Sequence, residues 1–149
     1  MSTLLTNGRL DLKSTPMTST ITAPVSGVGM KRFRRAVETR DLAEMTLSLA
    51  PDVVFESPIV FKQYVGREAV GFILGTVLTV FEDFRYVSEL DGEGVTALVF
   101  TARVGEKELH GIDLGEVDAD GAITKLTVFV RPLSAAHALR DAMGARLGM

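Results

Sequence analysis

The chain has 149 residues, no cysteine, two histidines and a formal net charge of −3. That length suits one domain with one core, and an apolar content of 46% is enough to fill it. Disulfides, thiolate metal sites and a cysteine nucleophile are excluded; neither a histidine metal cluster nor a nucleic-acid footprint is expected. No apolar run reaches the roughly 18 residues of a membrane span. The first residues carry no continuous apolar segment of the secretory kind. A cytoplasmic protein without membrane contact is the expectation.

Residues 1–28 are rich in Ser, Thr and Gly, contain Pro16 and Pro24, and keep neither a 3.6 nor a 2 period. They read as a disordered leader before one domain over 29–149. Met30, Phe33 and Val37 recur at helical spacing and predict a first helix from Gly29 to Thr39. Asp41 followed by Glu44 is a capping-box variant. It opens a short helix through Leu42, Met45 and Leu49, which Pro51 should end. Val53 and Phe55 alternate with Val54 and Glu56, giving a strand stopped by Pro58. Residues 59–65 read as a loop closing at Gly66. Val70, Ile73, Leu74, Val77 and Phe81 predict the longest amphipathic helix. Gly71 and Gly75 lie on it, each costing about 1 kcal/mol in helix propensity. They predict close packing against a strand or a partner.

The second half is strand-like. Strands are expected near 84–90, 95–104, 107–117 and 123–130, separated by the turn signals DGEG, GEK and DADG. DADG lacks the later ligands of a calcium loop and reads as a hairpin turn. A last helix starts at Ser134 and runs through Leu139 and Met143. Helices first and strands after point to an α+β fold, with helices on one face of a mainly antiparallel sheet. Lys31, Arg32, Arg34 and Arg35 cluster on the first helix, where a solvated face is the expectation.

The segments DLAEMTLSLAPDVVFESP, YVGREAV, VFTARVG and VDADGAITKLTVFVRP, in this order and spacing, resemble the SnoaL-like, nuclear transport factor 2-like superfamily. The resemblance, to a bacterial branch of it, covers about Met30 to Met149. It implies a cystatin-like cone: N-terminal helices on a strongly curved sheet, a C-terminal helix, and a conical cavity for a small apolar ligand. It also implies homodimers through the open sheet face. Period-two alternation together with the resemblance assigns a cavity-facing phase. That phase is Val53, Phe55 and Ser57, then Val99, Thr101 and Arg103, then His110, Ile112 and Leu114, and finally Leu126, Val128 and Val130.

Steroid isomerases of this superfamily carry a carboxylate base before the Pro of the first strand, where this chain has Ser57. Their tyrosine donor on the first helix falls at Phe33, and their protonated aspartate on a later strand at His110. The arginine of the fold's epoxide hydrolases resembles Arg103, but their two aspartates fall at Gly105 and Val128. The resemblance thus brings the fold without those catalytic sets.

Arg103 stands mid-sheet and is expected to pair with an anionic ligand, or else, near a hairpin end, with Glu116 or solvent. His110 is a candidate acid, base or donor, or a structural histidine. Tyr64 either lines the cavity mouth or packs on the long helix, and Ser57 is a hydrogen-bond partner for a ligand. His137 is expected at the surface. Glu56 and Asp113 are expected on the opposite sheet face, with Asp113 turning inward only if the strand bulges.

The leading expectation is therefore a small-molecule-binding pocket protein, with no cofactor and no metal. Its ligand is apolar or acidic, and its pocket takes in Phe33, Phe55, Ser57, Tyr64, Val99, Thr101, Arg103, His110, Ile112, Leu126, Val128 and Val130. A divergent isomerase, cyclase or hydrolase using His110 and Arg103 is the second reading. A dimerisation scaffold with Leu98, Phe100 and Ala102 on an open face is the third.

Overall fold

The computed structural model describes residues 22–148. The expected leader falls mostly outside them. The first helix, α1, spans Thr22–Thr39 and so begins before Gly29. Met30, Phe33, Ala36 and Val37 are buried along one stripe of it. Lys31, Arg32 and Arg34 of the basic cluster meet Glu89, Glu44 and Glu38 within the protein.

Helix α2 spans Leu42–Leu47, and the Asp41 carboxylate caps it by accepting from the Glu44 amide at 3.0 Å. Pro51 does not end this helix. Leu49 already belongs to strand β1, Leu49–Glu56, and Pro51 lies exposed where the strand's register shifts. A proline lacks the amide a regular ladder needs, so it is tolerated at such an irregularity. The expected loop after Pro58 contains a short strand, β2, Gln63–Val65. Helix α3 follows at Arg67–Val80. Its Gly71 and Gly75 pack on Thr46 and Leu42, so the close neighbour is α2 and not a strand or partner.

Strands β3 (Glu82–Gly92), β4 (Val95–Val104), β5 (Lys107–Val117) and β6 (Ile123–Arg131) form the meander, and α4 closes the chain at Leu133–Leu147. The six strands make one sheet in the order β2-β1-β6-β5-β4-β3. Only the β1–β6 pair is parallel. The curved sheet and its helices form the expected α+β, cystatin-like architecture.

The inner face of the sheet corrects the expected alternation. On β4 the buried set is Leu98, Phe100, Ala102 and Val104. On β5 it is Leu109, Gly111, Asp113 and Gly115. Val99, Thr101, Arg103, His110, Ile112 and Leu114 therefore face outward, and Leu98, Phe100 and Ala102 belong to the core, not to an open face. On β1 and β6 the expected phase does face inward: Val53, Phe55 and Leu126 are core residues, with Val128 and Val130 packed against them. Gly111 and Gly115 account for the crowding on β5. A Cβ on Gly111 would overlap the Phe100 ring, and one on Gly115 would overlap the Met30 sulfur.

Candidate functional site

A cavity of about 80 Å³ lies between the inner face of the sheet and the helices. Helix α1 contributes Phe33 and Val37, α3 contributes Ile73, Leu74, Val77 and Leu78, and α4 contributes Leu139 and Met143. The sheet contributes Phe55, Phe84, Tyr86, Phe100, Asp113 and Val128, and residues 57–59 after β1 border it as well. Phe84 stacks on Phe100 at 4.9 Å between centroids and meets Tyr86 edge-on at 4.9 Å, which makes one wall aromatic.

The polar side chains of this lining are Ser57, Tyr86 and Asp113. Asp113 is the cross-strand neighbour of Leu98 on β4 and Val128 on β6, so regular pairing, with no bulge, points it inward. Its exposure is 7%. The Tyr86 hydroxyl donates to Asp113 Oδ2 at 2.8 Å. Among the described residues no second hydrogen bond reaches this carboxyl.

Burial pushes the Asp113 carboxyl up to about 7, and the Tyr86 hydrogen bond opposes the rise without cancelling it. The Tyr86 hydroxyl is pushed well above the ordinary phenol range by burial and then by the neighbouring carboxylate, so it remains a donor. Below neutrality Asp113 is a carboxylic acid. Oδ2 accepts from Tyr86, and the acid proton is available to a ligand oxygen in an apolar enclosure. The Arg34 guanidinium lies 5.5 Å from the centroid of the Tyr86 ring and braces it from outside.

Ser57 borders the cavity, and its Oγ accepts from the Ile59 amide at 2.9 Å and the Val60 amide at 3.3 Å. This turns the chain after β1 and leaves the hydroxyl proton free to donate.

Of the residues expected in the pocket, Phe33, Phe55, Ser57 and Val128 border the cavity. Leu126 and Val130 lie in the core beside it, and Tyr64 packs near Phe55 at 6.4 Å. Val99 and Ile112 lie on the outer face. So do Thr101, Arg103 and His110, where they border a separate depression. Arg103 is held there by Asp83 at 2.8 Å and Glu82 at 3.2 Å, and not by the expected Glu116. His110 Nδ1 faces Arg131 Nη1 at 3.2 Å. His110, where the resemblance placed a strand donor, thus faces away from the cavity, and the buried acid of this strand is Asp113, three residues on. His137 is exposed on α4.

Sequence reasoning missed Tyr86 and placed Asp113 on the wrong face. A usable signal was present: Leu109, Gly111, Asp113 and Gly115 alternate large and small residues. Glycines at alternate positions of a strand mark close approach of a neighbour.

The SnoaL-like domain family matches residues 30–126. A solved steroid delta-isomerase from Pseudomonas aeruginosa is 43% identical, with a TM-score of 0.80, over 83% of this chain and 92% of that one. A protein with a cystatin-like fold from Silicibacter pomeroyi DSS-3 is 36% identical, with a TM-score of 0.77, over 81% of this chain and 86% of that one. An NTF2-like protein from Mesorhizobium loti shares the fold at 17% identity, with a TM-score of 0.67, over 78% of this chain and 97% of that one. No curated protein matches the chain. Among the described residues no helix is long and apolar enough to cross a membrane.

Proposed function

Since the chain belongs to the SnoaL-like, nuclear transport factor 2-like superfamily, we propose that it binds a small, largely apolar molecule bearing one hydrogen-bond-accepting oxygen. The observation that carries this reading is the Asp113 carboxyl, buried in an apolar cavity with Tyr86 as its hydrogen-bond partner. A neutral acid in such a place matches a carbonyl or ether oxygen. It disfavours an anion, because the ligand's charge would be desolvated in an apolar enclosure. The acidic ligand expected from Arg103 has no support in this cavity, since Arg103 faces away from it.

Ligand-observed NMR tests the proposal with 2-cyclohexenone and its anionic counterpart cyclohexanecarboxylate, at pH 6. Saturable binding of the ketone, weakened in Asp113→Ala and absent for the carboxylate, is expected. Equal binding of both, or ketone binding unchanged in Asp113→Ala, defeats the reading. Native mass spectrometry of gently purified protein, with extraction of any bound molecule, then identifies the natural ligand class.

A second reading is catalytic, and the 43%-identical relative described as a steroid delta-isomerase favours it. The acid/base group would be Asp113, whose affinity for a proton near 7 suits transfer at neutral pH. His110 and Arg103 would take no part. Enzyme-dependent deuterium incorporation at the carbon next to the ketone, lost in Asp113→Asn, is the discriminating measurement.

Pairing of two copies through the outer sheet face is supported by the row Val99, Ile112 and Phe129. These residues are direct cross-strand neighbours, and Phe129 is 52% exposed.

A further inference from the structure

We infer that the outer face of the sheet carries a second binding site, for a phosphoryl group, built on a row of four residues in cross-strand register. Arg85 on β3 pairs with Thr101 on β4, Thr101 with His110 on β5, and His110 with Arg131 on β6. Residues in direct register stand side by side on one face. The row therefore presents guanidinium, hydroxyl, imidazole and guanidinium in sequence across four strands. All four border one depression of about 420 Å³. It lies toward the β4–β5 turn, one row beyond the apolar Val99–Ile112–Phe129 row.

The charges in the depression are of two kinds. Arg103 is already engaged by Asp83 and Glu82. Arg85 and Arg131 have no carboxylate within salt-bridge distance among the described residues. Glu108, the register partner of Arg103, and Asp83, which holds Arg103, set the acidic part of the rim. The two guanidiniums without a carboxylate partner thus stand at opposite ends of the row, roughly 14 Å apart at the backbone from three strand spacings. Thr101 and His110 form the floor between them.

The imidazole is oriented for the task. A guanidinium can only donate, so His110 Nδ1 must accept from Arg131 Nη1 at 3.2 Å. The ring proton is then on Nε2, which leaves a second donor for the depression. Thr101 supplies a third kind of donor. A carboxylate has two oxygens and satisfies one guanidinium in bidentate fashion. A tetrahedral phosphoryl dianion offers oxygens in both directions and reaches the floor donors as well. The site is separate from the interior cavity, because its residues point to the opposite face of the sheet.

The test is a titration of the full chain with inorganic phosphate at pH 7.5, followed by amide NMR, with ionic strength held constant using sodium chloride. Saturable shifts centred on Thr101, His110 and Arg131 are expected. Arg85→Gln and Arg131→Gln should each weaken phosphate binding about tenfold, the loss of one charge-assisted contact, whereas Arg140→Gln should not change it. Acetate should bind at least about tenfold more weakly than phosphate. Circular dichroism of each variant establishes that it is folded. Linear, unsaturable shifts, shifts spread over the basic surface, unchanged affinity in both folded arginine variants, or equal binding of acetate would each overturn the assignment. A dimer that covers the row and abolishes the phosphate response would overturn it too.

Discussion

The Tyr86 hydroxyl donates to Asp113 Oδ2 at 2.8 Å inside the cone, joining edge strand β3 to β5 across the intervening β4. Both groups are almost wholly buried, at 8% and 7% exposure. This contact places one polar station against an aromatic wall, and it controls how the cavity responds to pH.

The first prediction concerns stability. Asp113 titrates at about 7 in the folded protein and near 4 when unfolded. The native state therefore holds more protons than the unfolded state between those values, and stability falls as pH rises through that window. Its contribution is fully present below about pH 4 and lost above about pH 7, a difference on the order of 4 kcal/mol. Asp113→Asn lacks this dependence. Urea unfolding at pH 5 and pH 8 should show the Asn variant gaining on the natural chain at the higher pH. Parallel curves would contradict the placement of Asp113 in the interior.

Ligand affinity should follow the same proton. A ketone that accepts from the neutral acid binds below neutrality, and its affinity should fall about tenfold per pH unit above about 7. Binding of 2-cyclohexenone at pH 6 and pH 9 checks this, with Asp113→Asn giving a flat profile.

Tyr86→Phe keeps the ring in the aromatic wall and removes the donor to Asp113. The change should cost about 1 kcal/mol at pH 5 and more at pH 8, where a carboxylate is left without its partner. The midpoint of Asp113 should rise, because the Tyr86 bond now lowers it. Carboxyl-resolved NMR titration measures that midpoint directly.

Gly111→Ala probes the crowding that sets the inner face. The added methyl meets the Phe100 ring, which is itself held by Phe81, Phe84 and Tyr86. A loss of about 1–3 kcal/mol in unfolding free energy is expected. No loss would mean that β5 turns its other face inward.

Phe129→Lys tests pairing through the outer face. Phe129 is half-exposed beside Ile112, and a charge there should leave the fold intact while shifting a dimer to monomer in light scattering. An unchanged dimer would place the interface elsewhere, and a monomeric natural chain would remove it.

Much of the fold was legible in the sequence. The Asp41–Glu44 spacing located the start of α2, and Gly-containing turns separated β3 to β6 close to their observed bounds. The strand faces were less legible. On β4 the apolar weight lies on Leu98, Phe100, Ala102 and Val104, and the phase taken from the resemblance ran against it. On β5 the inward glycines gave their face no apolar weight, which made the His110–Ile112–Leu114 phase appear the buried one. A one-residue change of phase reverses every side chain on a strand, so that ambiguity moved Arg103 and His110 into the cavity and Asp113 out of it.

The sequence by itself determined that this is one α+β domain of the cone-shaped kind, because element order, turn chemistry and apolar periodicity are local properties. Only the tertiary structure decided which residues share the cavity. That depends on cross-strand register and on the volume left by glycines opposite Phe100 and Met30, and both are set by neighbours distant along the chain. The pairing of Tyr86 with Asp113 and the alignment of Arg85, Thr101, His110 and Arg131 are consequences of that register.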